Sequence, residues 1–427
     1  MWIISCVFVG FCLSFFLLMF VWQGQTFGII LMFLLTIMQC KCIIMIEFLC
    51  AKTGRFYMKK VLFLIPTLGH GGAEKVLVNL VNNLDKSKFD VTVQAIFDEG
   101  VNKQFLNSDV KYKYTFKKII RGNVKLFTLF SPQTLYKHFI KEKYDIVVSY
   151  LEGITARIAS GCTDKDTKLV SWIHCKLDTE KEISLAFRNF EEAKKCYSTY
   201  HYTACVSEMV KEYFTNTLSF KKDIGVLYNT IETDEILEKS TEPVDDVQFS
   251  KDCINICSVG KIAPVKGFER LASIHKRLTD EKIKTKVYIL GIGDEQKNLE
   301  KYLKENNLED TFVFLGYKTN PYKYIKNCDL YVCSSYSEGF STSVTESLVV
   351  GTPVVTTLCS GMQEQLGYNN EYGIVTDNTE EALYQGIKNI ITQQGLLQHY
   401  KEQAKIRGER FNKAVTVKDV EDMFGRI

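Results

Sequence analysis

From Lys59 onward the chain alternates short β-branched or apolar runs with longer helix-patterned stretches, and this order constrains the fold more than any other feature. Parallel strands need a crossover of a dozen or more residues, which a helix supplies, so repeated strand–helix alternation specifies parallel α/β layers. Strand candidates are 61–65, 91–97, 146–150, 168–173, 202–206 and 224–227, with helical patterns between them. In 74–84, for example, Leu77, Leu80, Val81 and Leu84 fall on one helical face. Thr230 to Asp252 is acidic and irregular around Pro243 and reads as a linker. A second alternation follows at 254–259, 286–290, 312–315, 330–333, 353–356 and 373–375. The expectation is two doubly wound domains, 58–230 and 253–405, joined by 231–252. The final helices, about 396–411 and 415–424, have no strand to return to, and 406–427 is expected to cross back onto the first domain.

A length of 427 residues agrees with two or three domains at about 150 residues each. Lys and Arg total 53 against 50 Asp and Glu, which gives no global case for a nucleic-acid partner. The nine cysteines beyond residue 57 are an odd number without framework spacing, which fits reduced thiols in a cytosolic compartment. No Cys or His spacing matches a zinc site, and no metal is expected. Residues 1–57 form an apolar extension: 1–40 carry no charge, and apolar runs at about 2–22 and 27–46 flank Gln23-Gly24-Gln25-Thr26. Each run is long enough to cross a bilayer, and Lys52, Arg55, Lys59 and Lys60 would then hold the rest in the cytoplasm. The competing reading is a mis-called start, because Met58-Lys59-Lys60 followed by Val61-Leu62-Phe63-Leu64-Ile65 resembles the natural beginning of a soluble protein.

Three loops carry candidate chemistry. Thr67-Leu68-Gly69-His70-Gly71-Gly72-Ala73-Glu74 lies between a strand and a helix, where glycines let backbone N–H groups approach an anion. Neither Gly69-x-Gly71 nor Gly291-x-Gly293 completes a dinucleotide fingerprint, since Glu74 and Gln296 stand at the third position. Val259-Gly260-Lys261 through Lys266-Gly267-Phe268 offers two ammonium groups suited to a diphosphate. Ser337-Glu338-Gly339-Phe340-Ser341-Thr342-Ser343-Val344-Thr345-Glu346 places two carboxylates around a helix N-terminus, able to hold a hydroxyl-rich ligand from two sides. Ser343-x-x-Glu346 also fits a capping box, in which Glu346 would only satisfy backbone donors.

In this order, together with the Trp172-Ile173-His174 strand end and Gly351-Thr352-Pro353-Val354-Val355, these motifs resemble the retaining glycosyltransferases of family 4. The resemblance runs from about Lys59 to the end and implies the GT-B architecture, two facing Rossmann-like domains with a cleft between them. It implies that Lys261 and Lys266 hold a donor diphosphate and that Glu346 takes the ribose hydroxyls. Glu338 would contact the transferred sugar, aided by backbone amides around Gly339, Phe340, Ser341 and Thr342. Gly71 and Gly72 would approach the phosphate or the acceptor from the other domain, and His174 would touch the sugar and help to stabilise developing positive charge. Two departures stand out: Lys261 replaces a common Arg, and Ser341 the usual Pro.

The implied reaction transfers a sugar from a nucleoside diphosphate sugar, with UDP or GDP as carrier, to a lipid-linked or polysaccharide acceptor in bacterial cell-surface glycan assembly. No cofactor is implied, and the alternatives are a nucleotide-sugar epimerase or hydrolase, or a non-catalytic membrane-bound partner that binds the donor. Asp164-Lys165-Asp166 precedes a strand instead of following one and is taken as a solvated turn. Between Asp109 and Glu142 lie Lys111, Lys113, Lys117, Lys118, Arg121, Lys125, Lys137 and Lys141 and no acidic residue, interleaved with Tyr112, Tyr114, Phe116, Phe127, Phe130 and Tyr136. Such a patch fits docking on an anionic membrane surface, at the cytoplasmic side of the plasma membrane.

Overall fold

The computed structural model describes residues 58–69, 71–119, 122–219 and 223–427. The extension 1–57, with its membrane-hairpin and mis-called-start readings, lies outside the described residues, as do His70 and Arg121. Among the described residues no helix is long and apolar enough to cross a membrane.

The apolar runs form two parallel sheets. The first holds β1 (Lys59–Ile65), β2 (Phe89–Phe97), β3 (Lys111–Phe116), β4 (Ile146–Ser149), β5 (Lys168–Ile173), β6 (Tyr202–Cys205) and β7 (Ile224–Val226), in the order β3-β2-β1-β4-β5-β6-β7. The second holds β8 (Ile254–Val259), β9 (Thr285–Leu290), β10 (Phe312–Gly316), β11 (Leu330–Cys333), β12 (Val354–Thr357) and β13 (Ile374–Thr376), in the order β10-β9-β8-β11-β12-β13. Central strands of such sheets are covered by helices on both faces and read as continuous apolar runs. Val61 to Ile65 of β1 are accordingly fully buried, with Val61 registered between Val91 of β2 and Ile146 of β4. In each sheet the order reverses beside the first strand, and ligands bind outside the carboxyl ends of strands at such switch points. The loops after β1, β5, β8 and β11 are the ones that carry the predicted motifs.

Three differences from the expected organisation have physical reasons. β3 is an additional edge strand at 111–116, half exposed, whose Lys111 and Lys113 break the apolar run that central strands show. The linker is not wholly irregular: Thr233–Ser240 is a helix whose Ile236 packs with Val76, Ile231, Tyr322 and Val349 in a small cluster shared by both domains. Of the two final helices, Leu396–Gly408 stays on the second domain, with Leu396, Leu397, Tyr400 and Ala404 against its core. Lys413–Arg426 alone returns to the first, burying Val417, Val420, Met423 and Phe424 in that domain's core.

Candidate active site

Gly71, Gly72, His174, Lys261, Lys266, Glu338, Gly339, Phe340, Ser341, Thr342 and Glu346, which the sequence scatters over some 270 residues, all line one interdomain cavity of about 1250 Å³. Two domains close on one another there, and the closest approach requires a glycine: a β-carbon on Gly339 would stand 1.7 Å from the carbonyl oxygen of His174. Ser207 Oγ donates to the Gly339 carbonyl at 3.1 Å, and Asn229 to that of Phe340 at 3.4 Å. The Gly291-x-Gly293 pair also has a packing role, since β-carbons there would lie 1.8 Å and 2.0 Å from the carbonyl oxygens of Gly260 and Ile262.

On the second domain, the 3₁₀ turn Pro264–Lys266 brings Lys266 Nζ to 2.6 Å from Glu338 Oε1, which Ser335 Oγ also meets at 2.5 Å. Burial works against the Lys266 charge, but the Glu338 carboxylate more than offsets it and the ammonium's pKa is raised. Lys261 is exposed at the wall of the same cavity. The helix Thr342–Val349 starts at Ser341, whose Oγ accepts from the Val344 N–H at 3.4 Å. Ser341 thus provides the cap, a bond that proline has no side-chain oxygen to make. The capping box at Ser343-x-x-Glu346 does not form: Ser343 Oγ instead meets the Tyr331 hydroxyl at 2.7 Å.

Glu346, 4% exposed, reaches across the cleft. Its Oε1 accepts from Lys75 Nζ at 2.7 Å, and the same ammonium donates to Tyr322 Oη at 2.6 Å. Burial opposes the Lys75 charge, yet Glu346 and then Tyr322 outweigh it and raise its pKa. Lys75 is not among the residues predicted from sequence, although a signal for it exists. A cation in the first turn of the helix Gly72–Asn83 works against the helix dipole and calls for an acidic partner.

From the first domain, β5 delivers His174 with its backbone N–H held by Glu152 Oε2 at 2.9 Å and its ring 4.7 Å from that of Tyr150. Its Nε2 is buried with no hydrogen-bond partner among the described residues, and burial lowers the imidazole pKa to about 3. The cavity wall thus carries a neutral ring with an unsatisfied nitrogen, which buried polar groups seldom have. Glu152 also accepts from Cys175 Sγ at 2.8 Å, a second overlooked residue that fixes the strand end. Asp164 and Asp166 pair with Lys143 at 3.0 and 3.1 Å, away from the cavity lining.

Comparison with known proteins bears on the family and the fold. Residues 70–235 match the family described as Glycosyltransferase Family 4, and residues 241–407 match Glycosyl transferases group 1. An N-acetylgalactosamine-N,N'-diacetylbacillosaminyl-diphospho-undecaprenol 4-alpha-N-acetylgalactosaminyltransferase of Campylobacter jejuni is 34% identical over 200 residues, which span 46% of this chain and only 52% of that relative. A lipopolysaccharide 1,6-galactosyltransferase of Salmonella typhimurium is 23% identical over 71% of this chain and 82% of its own. Among solved structures, Anabaena Alr3699/HepE in complex with UDP and glucose superposes with a TM-score of 0.67 at 17% identity, covering 86% of this chain and all of the other. That likeness establishes the fold as GT-B. The matches on both domains, with the motifs in their expected strand-end loops, make this chain a member of the family 4 glycosyltransferases.

Proposed function

We propose that the protein is a retaining, metal-independent transferase that moves a sugar from a UDP- or GDP-sugar to a lipid-linked or polysaccharide acceptor in cell-surface glycan synthesis. The observation that carries this reading is the convergence of Lys266, Glu338, Glu346 and the unsatisfied His174 on one cavity at a helix N-terminus. Glycosyl transfer develops positive charge on the sugar and negative charge on the departing diphosphate. Lys261, Lys266 and the amides opening the Thr342–Val349 helix would bear the latter. Glu346 would accept the ribose hydroxyls, while Glu338 and His174 would position the sugar. With Glu338 paired to Lys266, front-face attack is favoured over a covalent carboxylate intermediate, the departing phosphate oxygen taking the acceptor proton. The named relatives act on undecaprenol-linked and lipopolysaccharide acceptors, which is the acceptor class proposed here.

The basic segment supports a membrane-proximal place for this reaction in a smaller form than the sequence implied. Lys111 pairs with Asp90 and Lys113 with Glu142, and Phe127 is buried, so those residues leave the patch. Buried Arg157 donates to the Phe127 and Phe130 carbonyls and Arg188 to those of Thr128 and Leu129, fixing a short helix end with Leu126, Leu129 and Phe130 exposed. Lys117, Lys118, Lys125 and exposed Ile119 and Leu185 complete a cationic, apolar surface for an anionic bilayer. It follows β3, so it shares with His174 the edge formed by the carboxyl ends of the first sheet.

A thermal-shift screen of the full chain against UDP-, GDP- and ADP-sugars without added metal tests the donor; a ligand at 100 times its Kd adds about 2.7 kcal/mol. Selective stabilisation by one nucleotide, followed by transfer to a polyprenyl-linked saccharide with retained anomeric configuration, is expected. Donor consumption without acceptor would favour the epimerase or hydrolase reading, and binding without turnover the non-catalytic one. Sedimentation with phosphatidylglycerol vesicles but not phosphatidylcholine vesicles, lost in Leu129→Asp, checks the bilayer surface.

A further inference from the structure

The contact between Lys75 and Glu346 is the feature of the cleft that the donor reading leaves unexplained. Lys75 stands on the first domain and Glu346 on the second, 2.7 Å apart, so the pair exists only when the domains meet. Tyr322 adds a hydroxyl at 2.6 Å and its ring at 4.9 Å from the same ammonium. Val76, the next residue, enters the apolar cluster of Ile231, Ile236, Tyr322 and Val349, which seats the contact. Lys75 takes only Oε1 of Glu346; Oε2 carries no hydrogen bond among the described residues.

We propose that Lys75 is a positioning residue that makes ribose recognition depend on domain closure: it holds one oxygen of Glu346 so that the other is presented, already oriented, to the hydroxyls of the nucleoside diphosphate. The inference rests on the donor reading above, in which Glu346 faces the ribose. An unrestrained carboxylate on an open domain would meet the same hydroxyls with rotamer freedom still to lose. Binding a donor and closing the cleft thereby become one linked equilibrium.

The test is calorimetric, with full-length protein, using whichever of UDP, GDP and ADP the wild type binds and its 2′-deoxy counterpart. Wild type is expected to prefer the ribonucleotide. Lys75→Met is expected to lose about tenfold in affinity for it and much less for the deoxy form, so that the ratio collapses, while Lys75→Arg retains most of the preference. A Lys75→Met protein that keeps the wild-type ratio overturns the proposal, even if both affinities fall together, since that is what a merely structural role produces. Should Lys75→Met not fold, Lys75→Gln carries the same comparison with the same two outcomes. Wild type that binds none of the three nucleotides overturns the donor reading and this inference with it, a result distinct from an unchanged ratio.

Discussion

The two carboxylates of the Glu-x7-Glu motif are each met by one lysine, but the two pairs are built differently. Lys266 and Glu338 both belong to the second domain and approach to 2.6 Å; Lys75 and Glu346 approach to 2.7 Å from opposite domains. The first pair lies wholly within one domain, while the second exists only where the two domains meet. The surroundings of Glu338 are therefore set within one domain, and those of Glu346 by the meeting of two. The difference teaches that residues eight apart on one loop and helix can belong to two separate arrangements, one held within a domain and one formed between domains.

Breaking the local pair has the largest expected effect. Glu338→Ala and Lys266→Ala should each lower kcat/KM by at least about 100-fold, the cost of removing a preorganised electrostatic group, while far-UV spectra stay native. Near-normal turnover in both would leave the sugar-end assignment without support. Breaking the interdomain pair should act on binding instead: Lys75→Met is expected to raise the donor KM about tenfold, equivalent to about 1.4 kcal/mol, and to change kcat far less. An equal fall in kcat would mean that both pairs serve the chemical step and that the distinction fails.

A pH titration sharpens the comparison by removing histidine as a rival cation. Burial lowers the pKa of His174 to about 3 and that of His275, in the second domain, to about 4, while the unfolded chain titrates near 6.5. Between those values the unfolded state binds more protons, so stability falls as pH drops from 6.5 and is fully present above it. The slope reaches about 1.4 kcal/mol per pH unit for each histidine, and urea midpoints of His174→Phe should lose one share of it. The smallest effect is reserved for Lys276→Ala. Its partner Asp280 lies one turn away on an exposed face, and neither melting temperature nor donor affinity should move measurably.

Sequence reading recovered those parts whose physics is local. Buried central strands are unbroken apolar runs, and strand-end loops with Gly, Lys and Glu keep their meaning wherever the domains lie. β3 escaped because Tyr112, Tyr114 and Phe116 alternating with lysines looked like a surface patch; that period of two is also what an edge strand shows. The Thr233–Ser240 helix was hidden by its acidic composition, which suits the first turn of a helix as well as a linker. Lys75 and Tyr322 are 247 residues apart, and their contact follows from tertiary closure, which no spacing rule encodes. The capping-box alternative failed for the same reason, since Glu346 finds its partner on another domain.

The return of the Lys413–Arg426 helix to the first domain has a mechanical consequence. Lys59 Nζ donates to the Phe424 carbonyl at 2.7 Å, and Phe424 is fully buried, so the last turn of the chain is fastened to its first strand. The polypeptide therefore passes between the domains twice, once going out after β7 and once coming back after Gly408. One tether would permit swivelling about a point. Two tethers define a line, like paired pins on a door, and reduce the approach of Lys75 to Glu346 from an orientational search to the swing of a single angle.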